Sequence, residues 1–196
     1  DVAGSVAIMM SYLGDQTGVY RAMDKLGSAG VSAIAAEAKV DERYLKEWLA
    51  SNAARGYVSY DAEADKFSLT PEQASVFARE SEPTCIQGLI QGVVGQFVKE
   101  DVAIDVFKTG RGRPWGEHHE CCFCGTERFF RPAYAGHLLD EWIPALDGVE
   151  DKLKLGAKVA DIGCGLGTSS ILMAEQFPNS TIHAFDFHGP SIEEAK

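Results

Sequence analysis

Residues 158–187 constrain this chain more than any other part of it. A short apolar run, 159–162, leads into Gly163, Gly165 and Gly167. A helix-like stretch follows over 168–177 and is stopped by Pro178, and a second β-like run, 181–185, ends at Asp186. Strand, glycine turn, helix, strand and acid in this order predict one β-α-β unit with parallel strands. Ile171, Leu172, Ala174 and Phe177 are the helix residues expected to face the sheet. Glycines carry no Cβ, so the main chain can turn sharply and lie against a ligand. The helix start behind the turn offers free N–H groups and a positive dipole end. An acid at the end of the second strand can accept hydrogen bonds from both ribose hydroxyls. The segment is built for a nucleoside-containing ligand.

Dinucleotide sites favour G-x-G-x-x-G, in which the third glycine packs helix to strand. Here the spacing is G-x-G-x-G, and Asp161 stands two residues before the first glycine. A carboxylate at that point repels a pyrophosphate and suits an ammonium group. An NAD site and a glycine turn without a ligand remain as alternatives. On the residues Asp161-Ile162-Gly163-Cys164-Gly165-Leu166-Gly167 the sequence resembles the class I S-adenosylmethionine-dependent methyltransferases. The resemblance implies that Asp161, Gly163, Gly165 and Gly167 hold S-adenosylmethionine. It also implies that Asp186 binds the ribose and that Phe187 packs near the adenine ring.

The first half reads as helical. Residues 4–26 form a helical stretch broken around Gly14-Asp15 and ended by Gly27, and Ser32 is placed to cap a short helix through Ala38. A further helix is expected over 41–55, with Tyr44, Leu45, Trp48 and Leu49 forming its buried stripe. Two β-like runs, 57–60 and 66–69, flank a turn-rich segment and read as a hairpin. Thr70-Pro71-Glu72-Gln73 then has the form of a capping box with proline at the first helical position.

Helix, helix and hairpin is the order of a winged helix-turn-helix, whose usual use is DNA binding. The charges oppose that use. The would-be recognition helix sets Arg43, Lys46 and Arg55 against Asp41, Glu42 and Glu47, and the wing adds Asp61, Glu63 and Asp65 against Lys66. The whole chain has 18 Lys and Arg against 29 Asp and Glu, a formal net charge of −11, which repels phosphate backbones and anionic lipid surfaces alike. A structural or dimerising role is therefore expected for this part, with nucleic acid and membrane excluded as partners. The longest apolar stretch, 85–98, is interrupted by Gln87, Gln91 and Gln96 and is too short to span a bilayer. Five cysteines, an odd number and crowded together, do not form a disulfide framework and predict a reducing, cytoplasmic setting.

Between these parts, residues 83–108 read as helical with Gly88, Gly92 and Gly95 inside, 110–114 read as a loop, and helices resume from about Thr126. The run Glu117-His118-His119-Glu120-Cys121-Cys122-Phe123-Cys124 contains zinc-ligand residue types, but it lacks the second pair that structural zinc sites use. The run reads as a loop near a substrate cavity with no metal. His118 and His119 are its candidates for a catalytic base or a substrate hydrogen bond, with a reactive thiol as an alternative. Cys164 reads as a small filler in the glycine turn. Trp115, Phe129, Phe130 and Tyr134 can pack as core or stack on a ligand.

The helical start, the glycine-bearing helices and Gly125-Thr126-Glu127-Arg128-Phe129-Phe130-Arg131-Pro132 look like a bacterial branch of the same methyltransferases, one that places a winged-helix domain first. This implies an N-terminal domain used for dimerisation and for closing over a substrate. The expected architecture is α/β: a mostly helical winged-helix-like dimerisation domain (1–80), a helical linker or substrate lid (81–156), and the first β-α-β unit of a Rossmann-like sheet (157–196). The expected function is methyl transfer from S-adenosylmethionine to a small molecule, by in-line displacement, in a homodimer. A winged-helix regulator with a nucleoside-sensing domain and a non-catalytic dimerisation protein are the alternatives. A Rossmann-like domain needs several β-α units of about 30 residues each, so a sequence with only one such unit is expected to be a fragment.

Overall fold

The computed structural model describes residues 1–196. The chain divides into two compact units, Asp1–Val94 and Gly95–Lys196. The first unit contains α1 (Val2–Gln16), α2 (Val19–Leu26), α3 (Val31–Ala38), α4 (Glu42–Ala54), β1 (Ser59–Asp61), β2 (Lys66–Ser68) and α5 (Pro71–Phe77). The division falls inside α6 (Gln87–Val98). The second unit continues with α7 (Glu100–Thr109), a single 3-10 turn at Trp115–Glu117 and α8 (Glu120–Ala133). A π-helix (Tyr134–Trp142), α9 (Val149–Leu155), β3 (Lys158–Ile162), α10 (Thr168–Gln176), β4 (Thr181–Phe185) and α11 (Gly189–Glu194) complete it. No helix is long and apolar enough to cross a membrane.

The first unit is a winged helix. Antiparallel β1 and β2 form the wing, and Ala29, just ahead of α3, pairs with Phe67 through two main-chain bonds of 3.0 and 2.8 Å. Asp61 Oδ1 accepts from the amides of Glu63 and Ala64 at 3.0 and 3.1 Å, which closes the wing turn with an Asx motif. The capping box of α5 is fully formed: Thr70 Oγ1 accepts from the Gln73 amide at 3.2 Å, and Gln73 Oε1 accepts from the Thr70 amide at 2.8 Å.

The core of this unit centres on Tyr20, Met23, Ile34, Leu49 and Val58, all buried. Tyr20 lies stacked on Phe77 and edge-on to Trp48, with both ring centroids at 5.0 Å. Burial pushes the Tyr20 hydroxyl up to about 12. Asn52, also buried, donates to the Trp48 carbonyl at 2.8 Å.

Several sequence expectations change here. The first helix does not break at Gly14-Asp15 but runs to Gln16, and Gly18 makes the turn at φ 76°. Gly14 is a packing residue instead: a Cβ there would lie 2.3 Å from Trp48 Cζ2 and 2.7 Å from Tyr20 Cε2. Ser32 does not cap α3; Gly30 holds that position, and Ser32 Oγ donates to Glu42. In α4 the buried stripe is Leu45, Trp48, Leu49 and Asn52, while Tyr44 is 74% exposed. The helix turned its polar Asn52 inward because Trp48 supplies the carbonyl that satisfies it.

In the second unit β3 and β4 pair in parallel, from Lys158 opposite Thr181 to Ile162 opposite Phe185. One face of this pair packs through Val159 onto a core of Ile143, Leu153 and Phe177, helped by Leu138 and Met173. On α10 the packed residues are Ser170 and Met173, joined by Phe177 just past its end as expected; Ile171 is 49% exposed and Ala174 is also exposed, contrary to the sequence expectation. The other face of the sheet leaves Ile162 and Phe185 at 77% and 51% exposure.

Alanine at position 14 gains helix propensity of about 1 kcal/mol over glycine, but overpacking a filled core costs about 1–3 kcal/mol. Gly14→Ala is therefore expected to lower the urea midpoint of unfolding. A raised midpoint would show that the Trp48–Tyr20 contact yields freely to the methyl group.

Candidate functional site

The glycine turn joins β3 to α10, and each of its three glycines has a left-handed backbone, with φ of 82° at Gly163, 57° at Gly165 and 80° at Gly167. A side chain at any of them would be strained. The turn is held from both strands. From β3, Asp161 Oδ2 accepts from the hydroxyls of Ser169 and Ser170 at 2.8 and 2.7 Å. After β4, Asp186 Oδ2 accepts from the Gly165 amide at 2.9 Å, and its Oδ1 accepts from the His188 amide at 2.8 Å.

Three further amides of the turn are committed. Those of Gly163 and Cys164 donate to the Phe185 carbonyl at 2.7 and 3.0 Å, and that of Gly167 donates to the Cys164 carbonyl at 2.9 Å. A pyrophosphate cradle needs such amides free. This turn has spent four of its five on the Phe185 and Cys164 carbonyls and on Asp186.

A pocket opens above the turn. Asp161, Gly163, Cys164, Gly165 and Leu166 line one side of it, and Trp115, Phe123, Phe130 and Tyr134 line the other. Glu127 adds a second carboxylate beside Asp161. It accepts from Thr168 Oγ1 at 3.0 Å and pairs with Arg131 Nε at 3.3 Å on its own helix. In the sequence, the only signal for Glu127 is its spacing of four from Arg131. Two carboxylates and an aromatic wall suit a cation with apolar parts.

The expected site residues are not equally placed. Asp161, Gly163 and Gly165 line the pocket, and Asp186 reaches it through the Gly165 amide. Gly167 lies behind the turn, where a Cβ would meet Ala195 Cβ at 3.3 Å. Phe187 is 81% exposed and does not line the pocket. Its neighbour His188 stands nearer, with its ring 4.5 Å from that of Phe123 and its Nδ1 2.8 Å from Ser191 Oγ. Phe129 stays off the pocket and packs edge-on against Phe130.

The His and Cys run is not a loop. Residues 120–133 are helical, earlier than the expected start near Thr126, because His119 caps α8: its Nδ1 accepts from the Cys121 amide at 3.2 Å. A search for Ser, Thr, Asp or Asn caps misses a ring nitrogen. No three His, Cys, Asp or Glu side chains converge as a metal set. Burial raises the thiols of Cys122, Cys124 and Cys164, the last also through the nearby Asp161 and Asp186 carboxylates. These cysteines stay protonated at neutral pH and are poor nucleophiles.

The tautomer of His118 follows from its neighbours. Arg113 Nη1 donates to Gln96 Oε1 at 3.0 Å, and arginine can only donate. This fixes the Gln96 amide, whose Nε2 faces His118 Nδ1 at 3.3 Å and must donate to it. The neutral imidazole therefore carries its proton on Nε2 and presents a donor there, not a base. Burial and then the Arg113 charge lower the His118 pKa from its usual range.

Comparison with known proteins agrees with this architecture. Residues 4–79 match the profile of the Rv2258c-like winged HTH domain. No curated protein sequence matches the chain. Among solved structures, human N-acetylserotonin methyltransferase in complex with SAM is similar at 14% identity and a TM-score of 0.67, over 100% of this chain and 59% of that one. The mitomycin 7-O-methyltransferase MmcR is similar at 17% identity and a TM-score of 0.68, over 99% of this chain and 58% of that one. An O-methyltransferase family protein from Burkholderia thailandensis is similar at 14% identity and a TM-score of 0.63, over 98% and 55%. The chain thus spans less than two thirds of the length of these structures. The likeness establishes the fold: a winged helix followed by the opening β-α-β unit of a methyltransferase-type sheet.

With its folded pKa depressed, His118 is deprotonated more readily than in the unfolded chain. Its contribution to stability is complete above about pH 6.5 and is lost as pH falls through the lower folded value. An NMR titration of the His118 ring protons is expected to give a midpoint below 6.5, and a midpoint at or above that value would refute the assigned surroundings.

Proposed function

We propose that this chain is the cofactor-binding and dimerising part of an S-adenosylmethionine-dependent methyltransferase acting on a small molecule. One observation carries the reading: the glycine turn has committed four of its five amides and sits beside two carboxylates, Asp161 and Glu127. A pyrophosphate finds most of the turn's amides taken and two like charges there, which argues against NAD. A ligand with an ammonium and a sulfonium fits, so the donor set passes the test for S-adenosylmethionine. When bound, that cofactor supplies an electrophilic methyl group.

The chain's own residues bind and orient. Asp161 keeps Oδ1 for an ammonium while Oδ2 holds Ser169 and Ser170. Asp186 uses one lone pair of each oxygen on an amide, and an ionised carboxylate has further sites for ribose hydroxyls. Trp115, Phe123, Phe130 and Tyr134 exclude water from the pocket, which favours displacement in line between a positioned acceptor and the methyl carbon. His118, a donor at Nε2, orients an acceptor and does not deprotonate it.

The dimerising part of the proposal rests on α1, where Val2, Val6, Met9 and Leu13 are exposed at helical spacing along one face. That stripe fits a second copy of the chain. The charge-balanced recognition helix and the acidic wing give DNA no phosphate-binding face. The setting is cytoplasmic, where the five free cysteines stay reduced.

Titration calorimetry with S-adenosylhomocysteine and with NAD tests the reading. The first is expected to bind and the second not, and the reverse would overturn it. Asp186→Asn keeps one acceptor oxygen for the turn but loses the charge, worth about 1.5–3 kcal/mol for a charged hydrogen bond, so S-adenosylhomocysteine affinity should fall about 10- to 150-fold. In sedimentation velocity, Met9→Lys combined with Leu13→Lys is expected to convert a dimer to a monomer; an unchanged dimer would remove α1 from the interface.

A further inference from the structure

Arg113 is only partly accounted for by the fold. Its Nη1 holds Gln96, but its Nε and Nη2 are shielded from solvent and have no acceptor. These two N–H groups belong to one rigid planar fork. Leaving charged donors buried and unpaired is costly. The neighbouring carboxylate does not relieve them: Glu117 holds Arg111 at 3.0 and 2.8 Å and is not within hydrogen-bond reach of Nε or Nη2.

The rest of the cluster offers donors as well. Gln96 is fixed between Arg113 and His118, so His118 adds its Nε2–H, which has no protein acceptor. Cys122 Sγ already accepts from Gln96 Nε2 at 3.2 Å. A half-buried cation with two shielded, unpartnered N–H groups, next to a neutral donor, forms half of a binding site.

We infer that this cluster receives a carboxylate, and that the methyl acceptor is a planar aromatic acid whose carboxylate takes the Nε–Nη2 edge of Arg113. The inference rests on the methyltransferase reading above for the word acceptor, but not for the carboxylate site itself. A planar two-oxygen anion matches one fork. A phosphate dianion would want a second cation, and Arg111 is spent on Asp105 and Glu117. The aromatic part follows from Trp115, which packs against His118 at 5.5 Å and Phe123 at 5.2 Å and lines the glycine-turn pocket together with Phe123. An acid held at Arg113 thus has aromatic walls leading to that pocket.

The same carboxylate chemistry exists in the amino-acid end of the nucleoside ligand, and the experiment separates the two sources. Calorimetry on the full chain would compare 4-hydroxybenzoate with 4-cresol, which has a methyl group in place of the carboxylate, and would measure S-adenosylhomocysteine in parallel. The wild type is expected to bind the acid at least about tenfold more tightly than the cresol. Arg113→Met should abolish that preference, Arg113→Lys should reduce it, and both should bind S-adenosylhomocysteine within about twofold of wild type. Equal binding of acid and cresol by the wild type would overturn the inference, as would a preference that survives Arg113→Met. A tenfold loss of S-adenosylhomocysteine in Arg113→Met, with methylthioadenosine unaffected, would assign the fork to the nucleoside ligand instead. Should Arg113→Met fail to fold by circular dichroism, the wild-type comparison and Arg113→Lys still decide. A wild type that binds no S-adenosylhomocysteine defeats the methyltransferase reading, while its preference for acid over cresol still decides the carboxylate site.

Discussion

Two carboxylates, one from each parallel strand, hold the turn on which the second unit is organised. Asp161 ties β3 to the first turn of α10 through two serine hydroxyls, and Asp186 ties the end of β4 to the Gly165 amide. The turn itself has three glycines in a backbone region that other residues avoid. Without these ties, its left-handed glycines would sample many conformations, since glycine loses the most freedom on ordering. The same ties shape the chemistry: Asp186 takes the Gly165 amide, which an anion would otherwise receive, and Asp161 leaves negative charge lining the pocket.

The winged helix shows how a fold and its usual use can part. Helix packing around Tyr20, Trp48 and Phe77, the wing and the Ala29–Phe67 bridge are all present. The face that would read a duplex has no net positive charge. Its fold is set by buried apolar residues, whereas nucleic-acid affinity depends on surface cations, so sequence drift can erase the second while keeping the first. What the surface of this unit does offer is the apolar stripe on α1.

What could be read in advance was short-range chemistry. The capping box at Thr70 and Gln73, the hairpin, and the strand–glycine–helix–strand order are each written within a few residues, and the structure contains all of them. Contacts between distant residues were not legible. Gly14 reads as a helix breaker until Trp48, 34 positions on, is seen to fill the space above it. Glu127 gains its place only through Thr168, 41 residues away, and His118 gains its tautomer through Gln96, 22 residues before it. The helix start at His119 was hidden for another reason: a histidine cap follows no common pattern. Ile171 and Ala174 misled because helical periodicity names a stripe but not which neighbour covers it.

The exposed face of the parallel pair has a consequence for how this 196-residue chain behaves in solution. Ile162 and Phe185 present apolar surface beside strand edges that carry unpaired main-chain groups, a template for joining copies of the chain. Against this stands the formal charge of −11, which keeps copies apart by long-range repulsion. The repulsion reaches only about 8 Å at physiological ionic strength and about 3 Å in molar salt, while the apolar attraction is not screened. Colloidal stability is thus a contest between two ranges of force, and added salt shifts it toward association.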